Sequence, residues 1–382
     1  MKIVIASDSY KGSLDSLQVN EAMRKGILRV FEDAEIICIP IADGGEGTVD
    51  AVMTFCGGSY CYETVTGPDG REVIARYGIL PDKSAVIEMA AASGLPLVQD
   101  VTPDTVMNST TYGTGQLIAS ALDKGCRKIY IGIGGSATND GGIGMLQALG
   151  VSFLDADNRE VGFGGKYLDK IARIDISNLD PRIRETELVV MSDVTNPLCG
   201  ENGAAVVYGP QKGATEEEIA ILDKGLAQFA ELICQMNLPD IRNLPGAGAA
   251  GGLGGGLVSF LGAEIRPGIK AILEIADFEK SVQWADLILS GEGRIDGQSA
   301  NGKVVSGIAE IAGKYNVPVI AICGSVEKDA REIFEKGISG MEAAVCRPVT
   351  LEKAMEEAEQ NVIDAAERVM QMVKAGMAIT GK

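Results

Sequence analysis

Histidine is absent from this 382-residue chain. Its absence excludes Ser-His-Asp and Cys-His nucleophilic catalysis, imidazole general bases and His-ligated metals. Proton transfer is left to Asp, Glu, Lys, Cys or Tyr, and a catalytic metal would sit among oxygens, as Mg²⁺ does. No apolar stretch approaches the length of a membrane span, and the short run ahead of Asp8 is too brief for a secretory signal, so a cytoplasmic protein is expected. The 8 cysteines show no CxxC spacing and several lie inside apolar runs, which fits small buried hydrophobes better than a disulfide frame or a zinc site. Basic residues are outnumbered, leaving a formal charge of −19 that argues against nucleic acid and anionic membranes as partners. An anionic substrate would therefore need a local positive pocket.

What is present centres on Ile129 to Gly144, IYIGIGGSATNDGGIG. A β-branched run breaks into paired glycines around Ser136, Thr138, Asn139 and Asp140, and an apolar helical pattern follows. Glycines let a backbone approach a ligand closely, and hydroxyls with free N–H groups at a helix start suit an anion, usually a phosphate. Neither a Walker A GK[ST] nor a GxGxxG closes the stretch. A tight turn with a helix cap accounts for part of the same composition, since Thr, Asn and Asp are ordinary capping residues.

Six short apolar runs share one buried-strand texture: Lys2–Ala6, Glu35–Ile39, Ile129–Ile133, Asp286–Ser290, Pro318–Cys323 and Met341–Cys346. Helical patterns separate them, which predicts a doubly wound parallel six-stranded sheet. A chain this long exceeds the usual limit of one core, so a second domain is expected. Hairpin texture around Gly67-Pro68-Asp69-Gly70 and between 151 and 275 places it there. The expected division is 1–62, 106–150 and 276–382 for the first domain, and 63–105 with 151–275 for an inserted α/β domain with a mixed sheet. The cleft between them should collect the site. The segment Leu244–Leu257, LPGAGAAGGLGGGL, has the composition of a linker but little serine or charge, and reads as a packed loop with a helix start.

Strand ends carry the chemistry. Ligands in open α/β sheets bind beyond the carboxyl ends of strands. Asp8 and Lys11 follow the first strand, Asp43 and Glu46 the second, Asp193 the run Glu187–Met191, and Glu292, Arg294 and Asp296 the run Asp286–Ser290. Each has a plain alternative: a loop cap for Asp8, a solvated charge for Lys11, a surface ion pair for Arg294. Collectively they supply what phosphoryl transfer needs, namely positioning, hard oxygens for Mg²⁺, cations against phosphate charge and a carboxylate to accept a hydroxyl proton.

The blocks DSYKGSL, ADGGEGT, NSTTYGTGQLI, GIGGSATNDGGIGMLQALG, SDVTNPL, PGAGAAGGLGGGL and GEGRIDGQ, in this order across nearly the whole chain, resemble the signatures of the class I bacterial glycerate kinases. The resemblance implies ATP-dependent, Mg²⁺-assisted phosphorylation of D-glycerate, with 2-phosphoglycerate as the usual product, on a Rossmann-like domain joined to a second α/β domain. Within that reading Asp193 is the first choice for general base or metal ligand, with Asp296 beside it as a metal ligand. Lys11 and Arg294 would hold the glycerate carboxylate or the transferring phosphoryl group. Asp8, Asp43, Asn108, Ser109 and Asp296 would bind substrate. Gly134, Gly135, Ser136, Asn139, Asp140 and Glu292 would cradle phosphate and nucleotide. No nucleic-acid or membrane partner is expected, and a homodimer is compatible with the reading. A nicotinamide oxidoreductase on the same sheet and a non-catalytic metabolite sensor are the competing classes; the first lacks GxGxxG and histidine, and the second has no evident need for so many strand-end carboxylates.

Overall fold

The computed structural model describes residues 1–42, 44–295 and 304–381. In chain order its strands are β1 (Lys2–Ser7), β2 (Glu35–Cys38), β3 (Ser59–Thr66), β4 (Glu72–Ile79), β5 (Ala85–Glu88), β6 (Lys128–Gly132), β7 (Ser152–Leu154) and β8 (Arg173–Asp175). They continue as β9 (Glu187–Met191), β10 (Glu264–Arg266), β11 (Leu287–Gly291), β12 (Arg294–Ile295), β13 (Val319–Cys323), β14 (Ser325–Val326) and β15 (Gly340–Ala343). The chain divides into two compact units, one of Met1–Asp43, Asp50–Cys56 and Ile269–Lys382, the other of Gly44–Val49 and Gly57–Gly268.

The first unit holds a five-stranded sheet in the order β15-β13-β11-β1-β2, with every pair parallel. From Ile3 to Ser7, β1 is buried without interruption, as a strand covered on both faces must be. Val19, Met23 and Ile27 of the helix Ser16–Leu28 pack with Val362, Ala366 and Val369 of the C-terminal helix Ala358–Thr380 over Ile3, Ile5 and Leu289. An Asp15–Gln18 capping box opens the first of these helices. The strand order reverses between β1 and β11, which makes the ends of those two strands a topological switch point.

The second unit holds a six-stranded mixed sheet in the order β10-β9-β6-β5-β4-β3. Its first four strands run parallel, and β4 and β3 join antiparallel through the predicted hairpin. Two expectations are corrected here. The parallel sheet of the first unit has five strands, because the Ile129 strand lies between β5 and β9 in the mixed sheet. Residues 106–150 accordingly belong to the second unit and not the first. A continuous apolar strand reads the same in either sheet, and only its neighbours distinguish them.

The Leu244–Leu257 segment is a packed element, as its apolar residues suggested. It forms a tight turn at Ala249–Gly252 and the helix Leu253–Leu261, and it is buried from Gly246 to Leu257. Gly251 has φ of 68°, and a Cβ there would collide with the carbonyl oxygen of Thr138, so only glycine lets this backbone lie against the 134–144 loop. Gly141 N–H donates to the Gly251 carbonyl at 2.9 Å and ties the two together.

Asp140 holds the loop from inside. Its fully buried carboxylate accepts from Thr111 N–H and Thr111 Oγ1 at 2.9 Å each, from Gly142 N–H at 3.0 Å and from Gly144 N–H at 3.3 Å. Removing the carboxylate strands several donors away from water. Asp140→Ala should therefore cost about 3–5 kcal/mol of unfolding free energy, read from urea denaturation; a loss below about 1 kcal/mol would show that the loop does not lean on this residue.

Candidate active site

Parallel strands in register carry their following turns to one edge. Glu88, Gly132, Met191 and Arg266 stand side by side across β5, β6, β9 and β10. The residues beyond them, Gly134 after β6 and Asp193 after β9, therefore emerge at the same carboxyl edge of the second unit. Gly44–Val49 joins them: Gly134 N–H donates to the Gly44 carbonyl at 3.3 Å, and Val49 N–H donates to Glu88 Oε1 at 2.7 Å. The sequence blocks around Gly44, Gly134 and Asp193 are thus assembled from three distant parts of the chain.

Within the loop, Gly134 and Gly135 are exposed, and the chain then turns inward through Ser136, Ala137, Thr138 and Asn139. Both amide atoms of Asn139 and the hydroxyl of Thr138 are buried with no hydrogen-bond partner among the described residues. Buried polar atoms are usually satisfied, so these three are donors and acceptors still available to a partner. Asp140, expected in the phosphate cradle, instead spends its carboxylate on Thr111, Gly142 and Gly144; burial outweighs those hydrogen bonds and pushes its pKa up.

Sequence reasoning missed Lys212. It ends the short turn Pro210–Lys212 and is buried, and its Nζ donates to Ser136 Oγ at 2.8 Å and to the Thr138 carbonyl at 2.7 Å. Among the described residues no carboxylate lies within ion-pair distance of it. Burial pushes its pKa down to about 7, against a weaker upward pull from Asp140. The run Gly209-Pro210-Gln211-Lys212-Gly213 resembles an ordinary solvated turn, so nothing local announces a buried cation.

Asn108 and Ser109 lie at the end of the helix Pro103–Asn108. The Asn108 amide donates to the Asp104 carbonyl at 2.6 Å and its Oδ1 accepts from Lys166 Nζ, while Ser109 Oγ donates to the Thr105 carbonyl at 2.7 Å. Both side chains thus have local helix-end and turn partners; the following Thr111 is the one that reaches the loop, through Asp140. Asp193 is exposed, and its Oδ1 accepts from Gly268 N–H at 3.0 Å, capping the start of the helix Gly268–Ile275.

In the first unit, Asp8 and Glu292 follow β1 and β11 at the switch point, where Asp8 N–H donates to the Gly291 carbonyl at 3.0 Å. Asp8 Oδ1 accepts from Ser9 N–H at 2.7 Å and so shapes its own turn. Glu292 is buried, and its charge adds to the burial that raises the pKa values of Tyr10 and Cys323. Lys11 is exposed, and Arg294 pairs with Glu327 at 3.3 Å on a largely exposed surface. Asp43 and Asp296 lie outside the described residues. Among the described residues no group of three or more Cys, Asp or Glu side chains is placed to hold a metal ion, and no helix is long and apolar enough to cross a membrane.

The glycerate kinase family model matches residues 3–374. Over 382 residues the chain is 46% identical to Glycerate 2-kinase of Escherichia coli K12, covering 100% of both chains. Against a glycerate kinase of Halalkalibacterium halodurans it is 48% identical over 368 residues, covering 96% of this chain and 97% of that one. A crystal structure of a protein from Salmonella typhimurium LT2, described as a candidate glycerate kinase 2, superposes with a TM-score of 0.88 at 46% identity and 99% coverage of each chain. A family match across nearly the whole sequence, joined by relatives of equal length, establishes that this chain belongs to the glycerate kinase family.

Proposed function

We propose that the protein transfers the γ-phosphoryl group of ATP to the 2-hydroxyl of D-glycerate, giving ADP and 2-phosphoglycerate. The observation that carries this reading is the shared carboxyl edge of β6 and β9, which sets the Gly134–Ser136 loop and the Asp193 carboxylate on adjacent strands. The family, and a relative named Glycerate 2-kinase over the full length, support the substrate and the position of transfer.

In the proposed reaction a bond forms between the glycerate oxygen and the γ-phosphorus as the bond from that phosphorus to the β-phosphate oxygen breaks. Asp193 accepts the proton of the attacking hydroxyl. Gly134, Gly135 and Ser136 bind phosphate oxygens through a loop that Asp140 keeps rigid. Lys11 and Arg294 neutralise the glycerate carboxylate or the transferring group, as cations do in phosphoryl transfer. Asp8, Asp43, Asn108, Ser109 and Asp296 are proposed to orient the substrate, and Glu292 the nucleotide. Mg²⁺, when bound, would supply positive charge against that of the phosphates. Kinases commonly hold it through one or two carboxylates plus substrate phosphates. Asp296 is the proposed ligand, and the hard oxygens of Asp193 would fit that demand in place of proton acceptance rather than beside it.

A coupled assay of ADP release with D-glycerate, ATP and Mg²⁺ should show glycerate-dependent turnover, and phosphorus NMR should show a single 2-phosphoglycerate product. Turnover no higher than the glycerate-free blank would remove the kinase reading, and a 3-phosphoglycerate product would remove the regiochemistry alone. Asp193→Asn keeps an oxygen to accept from Gly268 N–H, so the helix cap survives while the base is lost. Its turnover should fall roughly 10²-fold or more with nucleotide affinity largely kept; near-normal turnover would exclude Asp193 from the chemistry.

A further inference from the structure

A buried ammonium is costly unless an opposite charge answers it. Lys212 has two neutral acceptors, Ser136 Oγ and the Thr138 carbonyl, and Asp140 is the charged group that acts on it without reaching ion-pair distance. Its third N–H has no acceptor among the described residues. Next in the chain after the Thr138 carbonyl that Lys212 reaches, Asn139 carries an amide whose nitrogen and oxygen are both buried and unsatisfied, and Thr138 itself has a hydroxyl in the same condition. The orphaned amide and hydroxyl belong to the inward-turning stretch that begins at the exposed Gly134-Gly135, and Lys212 reaches that stretch from the turn Pro210–Lys212 through Ser136 and Thr138.

We propose that Lys212 is the cation of this loop, positioning it for a phosphate-bearing ligand and supplying the positive charge which that ligand requires. The proposal rests on reading the Gly134–Ser136 loop as the phosphate site. Because Nζ–H occupies a lone pair of Ser136 Oγ, the serine proton is directed to another acceptor, and Ser136 stands at the rim with 9% of its surface exposed. The charge therefore acts on the ligand through a polarised hydroxyl, in a water-poor interior where salt screens it little. The bond to the Thr138 carbonyl fixes the peptide that carries Asn139, so the same cation also sets the loop backbone. Lys212 is a positioning residue in this account, since Ser136 is the group that meets the ligand.

The test measures binding of β,γ-imido-ATP, 2-phosphoglycerate and D-glycerate by titration calorimetry, beside steady-state kinetics, for the wild type, Lys212→Met, Lys212→Arg and Ser136→Ala. Lys212→Met should weaken one or both phosphate ligands by roughly 10²-fold and leave D-glycerate within a few-fold. The phosphate ligand that loses affinity identifies which phosphate the loop holds. Lys212→Arg, which keeps the charge, should recover part of the loss, and Ser136→Ala should cost about 10-fold. Titration near pH 7.5 in buffers of different ionisation enthalpy adds a readout that a mere packing role would not move. Because a phosphate ligand itself ionises near this pH, the readout is the difference: the wild type should take up more protons on binding than Lys212→Met does. Unchanged phosphate affinity in Lys212→Met, or loss confined to D-glycerate, overturns the proposal. If that variant does not fold, unchanged affinity of Ser136→Ala for both phosphate ligands overturns it equally. A wild type that turns over glycerate while Lys212→Met keeps its affinity for both phosphate ligands refutes only this inference. A wild type that binds no phosphate ligand and shows no turnover refutes the function on which it rests.

Discussion

The Asp140 carboxylate is the constraint on which the second unit's edge depends. A bare carboxylate in a dry interior is among the most expensive groups a protein can bury. Here it is tolerable because Thr111 and the backbone N–H groups of Gly142 and Gly144 converge on its two oxygens. The dependence runs both ways: those N–H groups open the helix Ile143–Ala148 and would themselves be orphaned without it. One side chain thus joins the start of the helix Tyr112–Asp123, the start of the helix after β6, and the loop between strand and helix. With the loop anchored at that end and tied to Gly251 behind it, its glycines remain open on the side where Gly134 and Gly135 are exposed.

This arrangement also resolves an electrostatic difficulty. A chain with a formal charge of −19 repels the anions a glycerate kinase must handle. Surface lysines would answer that field weakly, because water and salt screen them. A lysine sunk behind the loop loses the screening and gains range, at the cost of a pKa drawn down to about 7. Asp140 limits that cost without forming a salt bridge that would cancel the charge.

Much of this was legible in the sequence, and the parts that were not share a physical reason. Glycine density after a β-branched run pointed to the loop at Gly134, strand-end position pointed to Asp8, Asp193 and Glu292, and the leucines of Leu244–Leu257 distinguished a packed turn from a linker. Those are local signals, set by backbone conformation and the side-chain pattern. What escaped was decided by partners far away in the chain. The strand β6 has the same texture as β1, and only its pairing with β5 and β9 assigns it to the mixed sheet. Lys212 sits in a turn of ordinary composition, and its burial follows from contact with residues more than seventy positions earlier. Asp140 was identified as polar and loop-borne, yet which way its carboxylate faces depends on Thr111.

The capping of Gly268 by Asp193 looks at first like a reason to deny that carboxylate any chemistry. A cap, however, fixes the side chain's rotamer, and a fixed carboxylate is what a proton acceptor requires. Gly268 N–H is itself held in place, because Ser192 N–H donates to the Arg266 carbonyl at 3.0 Å and keeps the end of β10 against the end of β9. The register of two parallel strands thereby sets the position of one oxygen atom. In the first unit the same logic appears at the switch point, where the β1–β11 register sets Asp8 against the Gly291 carbonyl. The order of strands differs between the two sheets, but in each a parallel register converts sequence position into the placement of a carboxylate. That is why strand-end acids were readable before any fold was known.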